Sequence, residues 1–194
     1  FLDSSPTPFH AVKSMASLLV DSGFVSLSES DDWVLEAGEK YFISRNGSSI
    51  IAFVVGTEAL STTGIRMAGA HTDSPCLMVK PQPQTVKNNY YQLGVEVYGG
   101  ALLNPWFDRD LSIAGRLVYQ DKASQLKQKI INFVDPVAMI PSLAIHLDRN
   151  ANKDRTINAQ NDIPPILMQG AENKDFRELL AERFLQAGEQ VLDY

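Results

Sequence analysis

The chain has 194 residues, 44% of them apolar and 21% charged, which is enough for a sizeable core in one ordinary domain or one and a half small ones. A net charge of −6 and the lack of any basic run argue against a nucleic-acid partner, and no apolar stretch reaches the length of a membrane span. The single cysteine, Cys76, excludes an internal disulfide and suits a reducing, cytoplasmic compartment.

Thr7-Pro8 predicts a helix start, because Thr caps and Pro suits the first helical position. Phe9, Val12, Ala16, Leu19 and Val20 then recur at helical spacing, and Gly23 is the stop. His10 falls in the first turn, off that stripe, and is expected to be solvated and without a role. Lys40 to Ser44 reads as a strand, Arg45-Asn46-Gly47 as a tight hairpin turn, and Ser48 to Val55 as the returning strand. Ile50 to Val55 is apolar at every position, which predicts a central strand covered on both faces. Ile65 to Ala70 predicts the next buried strand.

That strand delivers Ala70-His71-Thr72-Asp73-Ser74-Pro75. In an extended segment residues i and i+2 share a face, so His71 and Asp73 can lie side by side. His71 can then offer a ring nitrogen to a divalent ion while Asp73 sets the ring's orientation and tautomer. A hydrogen-bonded His at a strand end explains the same spacing.

Past Pro75 the pattern turns to β-structure joined by turns. Leu77 to Lys80 is brief, and Pro81 and Pro83 are expected to interrupt it. Tyr90 to Tyr98 has strand composition and breaks at Gly99-Gly100. Leu111 to Tyr119 and Ile130 to Val134 are further strands, with a charged connection between them. Asp108, Arg109 and Asp110 are read as a structural ion-pair network beside Trp106 and Phe107. Ala138 to Leu147 is mostly apolar, and Asn150 to Asn161 is a polar loop. Asp175 to Gln186 predicts an amphipathic helix with Phe176, Leu179, Leu180 and Phe184 on its core face. Val191-Leu192-Asp193-Tyr194 reads as the opening of a strand with nothing after it to pair with. No signal peptide leads the chain, and Phe1 is not a native start. A piece of a longer protein is therefore expected. A helix followed by buried strands with polar ends fits an α/β layered domain.

Four stretches in order carry a resemblance: Gly69 to Cys76, Leu93 to Ala101, Pro105 to Ser112 and Leu143 to Leu147. With Ser4 to Ala11 they are similar to the M18 aminopeptidases, the aspartyl-aminopeptidase-like metallopeptidases, and the likeness runs from end to end. It implies an α/β catalytic sheet domain holding two divalent ions, usually zinc, with a β-rich dimerisation domain inserted into it. Residues 1–80 would be the N-terminal part of the catalytic domain, and 81–194 the dimerisation domain, not necessarily to its C-terminal end. The resemblance further implies a homo-oligomer built from dimers and a peptide substrate with a free N-terminus, often with an acidic first residue.

Residue by residue, His71 matches the family's first metal ligand, and Asp73 the catalytic acidic residue that supports it. His146 matches a His that reaches a neighbouring subunit's active site, read there as a metal ligand or as a substrate contact. Cys76 is expected to be a small buried residue rather than a nucleophile. The bridging carboxylate, the remaining ligands and the general-base Glu that the family needs are not in this chain. The rival reading is therefore a non-catalytic oligomerisation or interaction piece without a complete metal site. A His-x-Asp hydrolase of another kind has only the bare motif behind it.

Overall fold

Thr7 caps the first helix, α1 (Pro8–Asp21): its side chain accepts the His10 backbone N–H, and Pro8 occupies the first turn. The helix ends before Gly23, which takes φ +81°. Ala11 and Val12 form its buried face, whereas Val20, expected on that face, is exposed. His10 is half-buried rather than solvated, and its Nδ1 lies 2.8 Å from Thr7 Oγ1. Burial first, and Lys13 second, lower its pKa. A His with a depressed folded pKa contributes stability above its ordinary value, lost as pH falls from about 6.5 toward the folded value. Acidification through that window is therefore expected to loosen α1, and His10→Gln to flatten the response. Thermal unfolding midpoints of the two proteins between pH 7 and pH 5 check this; parallel curves would contradict it.

The computed structural model describes residues 1–170 and 174–194. They divide into two compact units, Phe1–Ser74 and Pro75–Tyr194. In the first, β1 (Val25–Ser26) runs parallel to β2 (Lys40–Arg45), and β2 pairs antiparallel with β3 (Ser49–Val54). The β2–β3 turn uses Asn46 and Gly47 at φ 54° and 65°, the left-handed backbone that an Asn-Gly pair favours. Tyr41 and Phe42 are buried, and Tyr41 packs on Phe53 with ring centroids 5.7 Å apart.

Two strand expectations fail here for one reason. The sheet order is β1-β2-β3, so β3 is an edge strand, not a central one. Ile51 is 61% exposed and Val54 is exposed as well. After a short helix, α2 (Leu60–Thr63), residues 65–70 form no strand, and Met67 is 88% exposed. A strand needs a ladder partner. Among the described residues nothing pairs with the outer edge of β3 or with 65–70.

In the second unit, β4 (Cys76–Lys87) pairs antiparallel with β5 (Tyr90–Tyr98) across a two-residue turn in which Asn88 and Asn89 take φ 51° and 65°. The strand runs through both prolines instead of stopping at them. Its register shifts between Val79 and Gln84, and Pro81 and Pro83 sit in that bulge, where the ladder asks less of their missing N–H. Gly94 lies opposite: a Cβ there would stand 3.4 Å from the Pro83 carbonyl. A short strand that the sequence did not reveal, β8 (Ile166–Gln169), adds to the other side of β5.

The second sheet has the order β7-β6-β9, built from β6 (Ala114–Gln120), β7 (Leu126–Asn132) and β9 (Gln190–Asp193). The final strand is thus paired after all, antiparallel to β6 with Tyr119 opposite Val191. Its partner lies about seventy residues upstream rather than after it. Helix α3 (Phe176–Phe184) is capped by Asp175, which accepts the Arg177 N–H at 2.8 Å. Phe176 and Leu180 fill the core with Tyr91 and Leu93 of one sheet and Leu117, Ile131 and Val191 of the other. A second cluster gathers Val95, Ile140 and Ile163, with Trp106, Phe107 and Leu111 against it. Tyr194 closes the chain edge-on against Phe176 and donates its hydroxyl to the Lys80 carbonyl at 2.8 Å. Burial pushes its pKa up to about 12, with Arg177 opposing.

Candidate functional site

His71 sits in an irregular, extended segment of the first unit, and its side chain is 77% exposed. Its Nδ1 is 2.7 Å from the Asp73 backbone carbonyl and 3.4 Å from the Asp73 carboxylate. A carbonyl oxygen only accepts, so Nδ1 carries the proton. That fixes the tautomer in which Nε2 holds a free lone pair. The ring is therefore oriented chiefly by the main chain of Asp73, with the carboxylate alongside. Between the two, Thr72 donates its hydroxyl to the Ser48 carbonyl at 2.8 Å and ties the segment to the β2–β3 turn. A ring held through Nδ1 with Nε2 free suits one ligand position on a zinc ion. A complete zinc site takes about four donors. Among the described residues no group of three or more His, Cys, Asp or Glu side chains could hold an ion. This chain thus fits a contribution to a metal site rather than the whole of one.

His146 lies in the second unit, exposed on a turn in which the Leu147 and Asp148 N–H groups both return to the Ala144 carbonyl. Its apolar neighbours do not bury it. Leu143, Ile145 and Leu147 beside it are exposed too. The Asp108–Asp110 stretch is likewise different from expectation. Asp108 accepts the Ser142 N–H at 2.8 Å, and Arg109 donates to the Pro105 carbonyl at 3.3 Å. Among the described residues no ion pair joins Arg109 to either neighbouring carboxylate. The Ser142 hydrogen bonds hold the Asp108 carboxyl below its usual pKa, helped by Arg155. Arg155 itself, in the polar loop, gave no sequence signal. Its guanidinium lies 4.3 Å from the centre of the Phe107 ring and 3.7 Å from the Asp148 carboxylate. Cys76 is half-buried at the start of β4 rather than fully buried.

A His ring held with one nitrogen free suits a metalloenzyme, and comparison with known proteins assigns the class. The family model for the aminopeptidase I zinc metalloproteases (M18) matches residues 1–186. The chain belongs to the M18 family. The probable M18 family aminopeptidase 2 of Pseudomonas savastanoi pv. phaseolicola is 52% identical over the whole chain. The chain spans 46% of that relative's length. Among solved structures, mApe1 of Chaetomium thermophilum superposes with a TM-score of 0.83 at 33% identity, over 97% of this chain and 46% of its own. The S. cerevesiae mApe1 dodecamer gives 0.78 at 27% identity, over 98% and 44%. Among the described residues no helix is long and apolar enough to cross a membrane.

Proposed function

We propose that the complete protein is a zinc-dependent aminopeptidase to which this chain supplies one metal ligand, His71. The observation that carries the reading is the His71 ring, held through Nδ1 by Asp73 with Nε2 left free in a chain of the M18 family. Zinc, when bound, supplies a Lewis acid at the scissile carbonyl and a source of activated water. Two ions per site are expected of such a centre, with further ligands and the general base drawn from outside this chain. Asp73 keeps the His71 ring in its ligating tautomer. His146 touches metal or substrate in the active site of a neighbouring subunit, and its exposure on a turn ringed by apolar side chains suits contact with another chain.

On this reading the first unit is part of the catalytic α/β domain and the β-rich second unit is the inserted dimerisation domain. The expected limit between 80 and 81 falls inside β4. The subunits form a homo-oligomer of dimers, and the dodecameric state of a relative supports that. The substrate is a peptide with a free N-terminus, often acidic in its first residue, cleaved in the cytoplasm. The uncovered edge of β3 and residues 65–70 are completed by the part of the protein that its relatives possess beyond this chain's length.

The test is hydrolysis by the complete protein of a peptide with a free amine against the same peptide acetylated. Cleavage of the free peptide alone, abolished by a chelator and restored by zinc, is expected. No cleavage would leave the non-catalytic reading standing, which the incomplete donor set favours for this chain in isolation, and equal cleavage of the two peptides would overturn the aminopeptidase reading. In the same assay His146→Ala is expected to lower kcat/KM on the order of a hundredfold with the unfolding midpoint unchanged. Full activity would remove His146 from the site.

A further inference from the structure

Residues 142–148 carry His146 on an exposed stretch, 143–147 all being exposed. The chain leaves the second core cluster at Ile140, 1% exposed, and Leu143, Ile145 and Leu147 then all face outward. A seven-residue excursion of this kind has no apolar burial of its own to fix it. Its two ends are nonetheless tied, and tied to the same place.

Asp108 makes the first tie. It adopts φ +52°, in the left-handed region, where a non-glycine residue needs a reason. In that conformation its N–H donates to the Ile140 carbonyl at 2.9 Å and its carboxylate accepts the Ser142 N–H at 2.8 Å. Phe107, next to it, pairs with Ile140 as an isolated parallel bridge. Arg155 makes the second tie. Its guanidinium stacks over the Phe107 ring, reaches Ser142 Oγ at 3.5 Å, and meets the Asp148 carboxylate at 3.7 Å. One planar fork therefore spans the beginning and the end of the loop, and an aromatic ring of the core keeps the fork in place. The Arg155 and Asp148 side chains are 23% and 27% exposed, partly shielded from solvent.

We propose that Arg155 and Asp108 are positioning residues for His146, holding the 142–148 loop in the shape in which His146 is presented to another subunit's active site. The role in catalysis rests on the reading of His146 given above; the holding of the loop does not. Neither residue touches substrate. Each acts by restricting the loop before it docks, so that less freedom is lost on docking.

Two measurements separate the layers of the proposal. The first is amide hydrogen exchange across 142–148. Arg155→Ala and Asp108→Ala are expected to speed exchange there at least tenfold, with β5 and β6 unchanged. Asp108→Asn, which keeps the acceptor and tolerates positive φ, is expected to behave like the parent. Arg155→Lys loses the fork and is expected not to rescue. Unchanged exchange in Arg155→Lys and Asp108→Ala would overturn the proposal, and both remain readable if Arg155→Ala fails to fold. The second is kinetic, in the complete protein. Arg155→Ala is expected to lower kcat/KM about tenfold, and the His146→Ala/Arg155→Ala pair to match His146→Ala alone within twofold. Losses that multiply would show that Arg155 acts elsewhere and overturn the positioning role. If His146→Ala is itself fully active, the reading of His146 falls and the positioning role falls with it, while the exchange result still decides whether these residues hold the loop.

Discussion

Replacing His71 with alanine in the complete protein is expected to abolish tight zinc binding while leaving the fold intact. The first half follows from ligand count. A zinc ion takes about four donors, and losing an imidazole from the set leaves too few to keep the ion through dialysis. The second half follows from exposure. The ring is 77% exposed, and among the described residues its hydrogen bond and ion pair go to Asp73, two residues away, so its removal opens no cavity. Metal content after dialysis against dilute chelator, with unfolding measured in parallel, checks both halves. Parental zinc content in the variant would sink the ligand assignment. Asp73→Ala should do less, about 10- to 100-fold in metal affinity, since the ring's closest contact is to the Asp73 main chain, which alanine retains.

How far these features were legible in the sequence depends on how local their causes are. Thr7-Pro8 caps a helix by contacts within one turn, and the predicted start is the observed one. Asn46-Gly47 bends the chain by its own dihedral preferences, and the hairpin forms around it. Tyr90–Tyr98 is strand from end to end, as its composition predicts. The failures concern partners. The apolar run from Ile50 to Val55 marks faces that suit burial, but periodicity does not say what covers them, and here β3 is an edge. Residues 65–70 are apolar in the same way and find no ladder among the described residues. Val191 reads as an unpaired strand because its partner, Tyr119, is far away in sequence. The prolines of β4 mislead for a related reason: a bulge, defined by the opposing strand and Gly94, lets the strand continue past them.

The site divides along the same line. The His71–Asp73 pairing is an i to i+2 contact and follows from spacing. The surroundings of His146 do not, because Asp108 and Arg155 come to its loop from 34 and 13 residues away from Ser142. Charged residues at 108, 109 and 110 suggested a mutual ion-pair network. Asp108 instead turns into the left-handed region and bonds Ser142 across space, and Arg109 bonds the Pro105 carbonyl four residues back.

Phe176→Ala is expected to cost the second unit about 3–5 kcal/mol of stability. Phe176 is 2% exposed and packs at the junction of both sheets with α3, where Tyr91 and Leu93 meet Leu117 and Val191. Its ring also meets Tyr194 edge-on, with centroids 5.2 Å apart. Truncation removes the apolar burial, leaves a void bounded by strands that cannot close on it, and deprives Tyr194 of its ring partner. Against a typical domain stability of about 5–15 kcal/mol, such a loss consumes much of the margin. Phe176→Leu retains most of the volume and is expected to cost less than half as much. Urea unfolding monitored by exchange at β5 and β6 reads the unit directly. A loss below about 1 kcal/mol for the alanine variant would mean that the two sheets hold together without the helix, and that α3 is fastened by its Asp175 cap and the Arg177 bond to the Leu192 carbonyl rather than by its buried face.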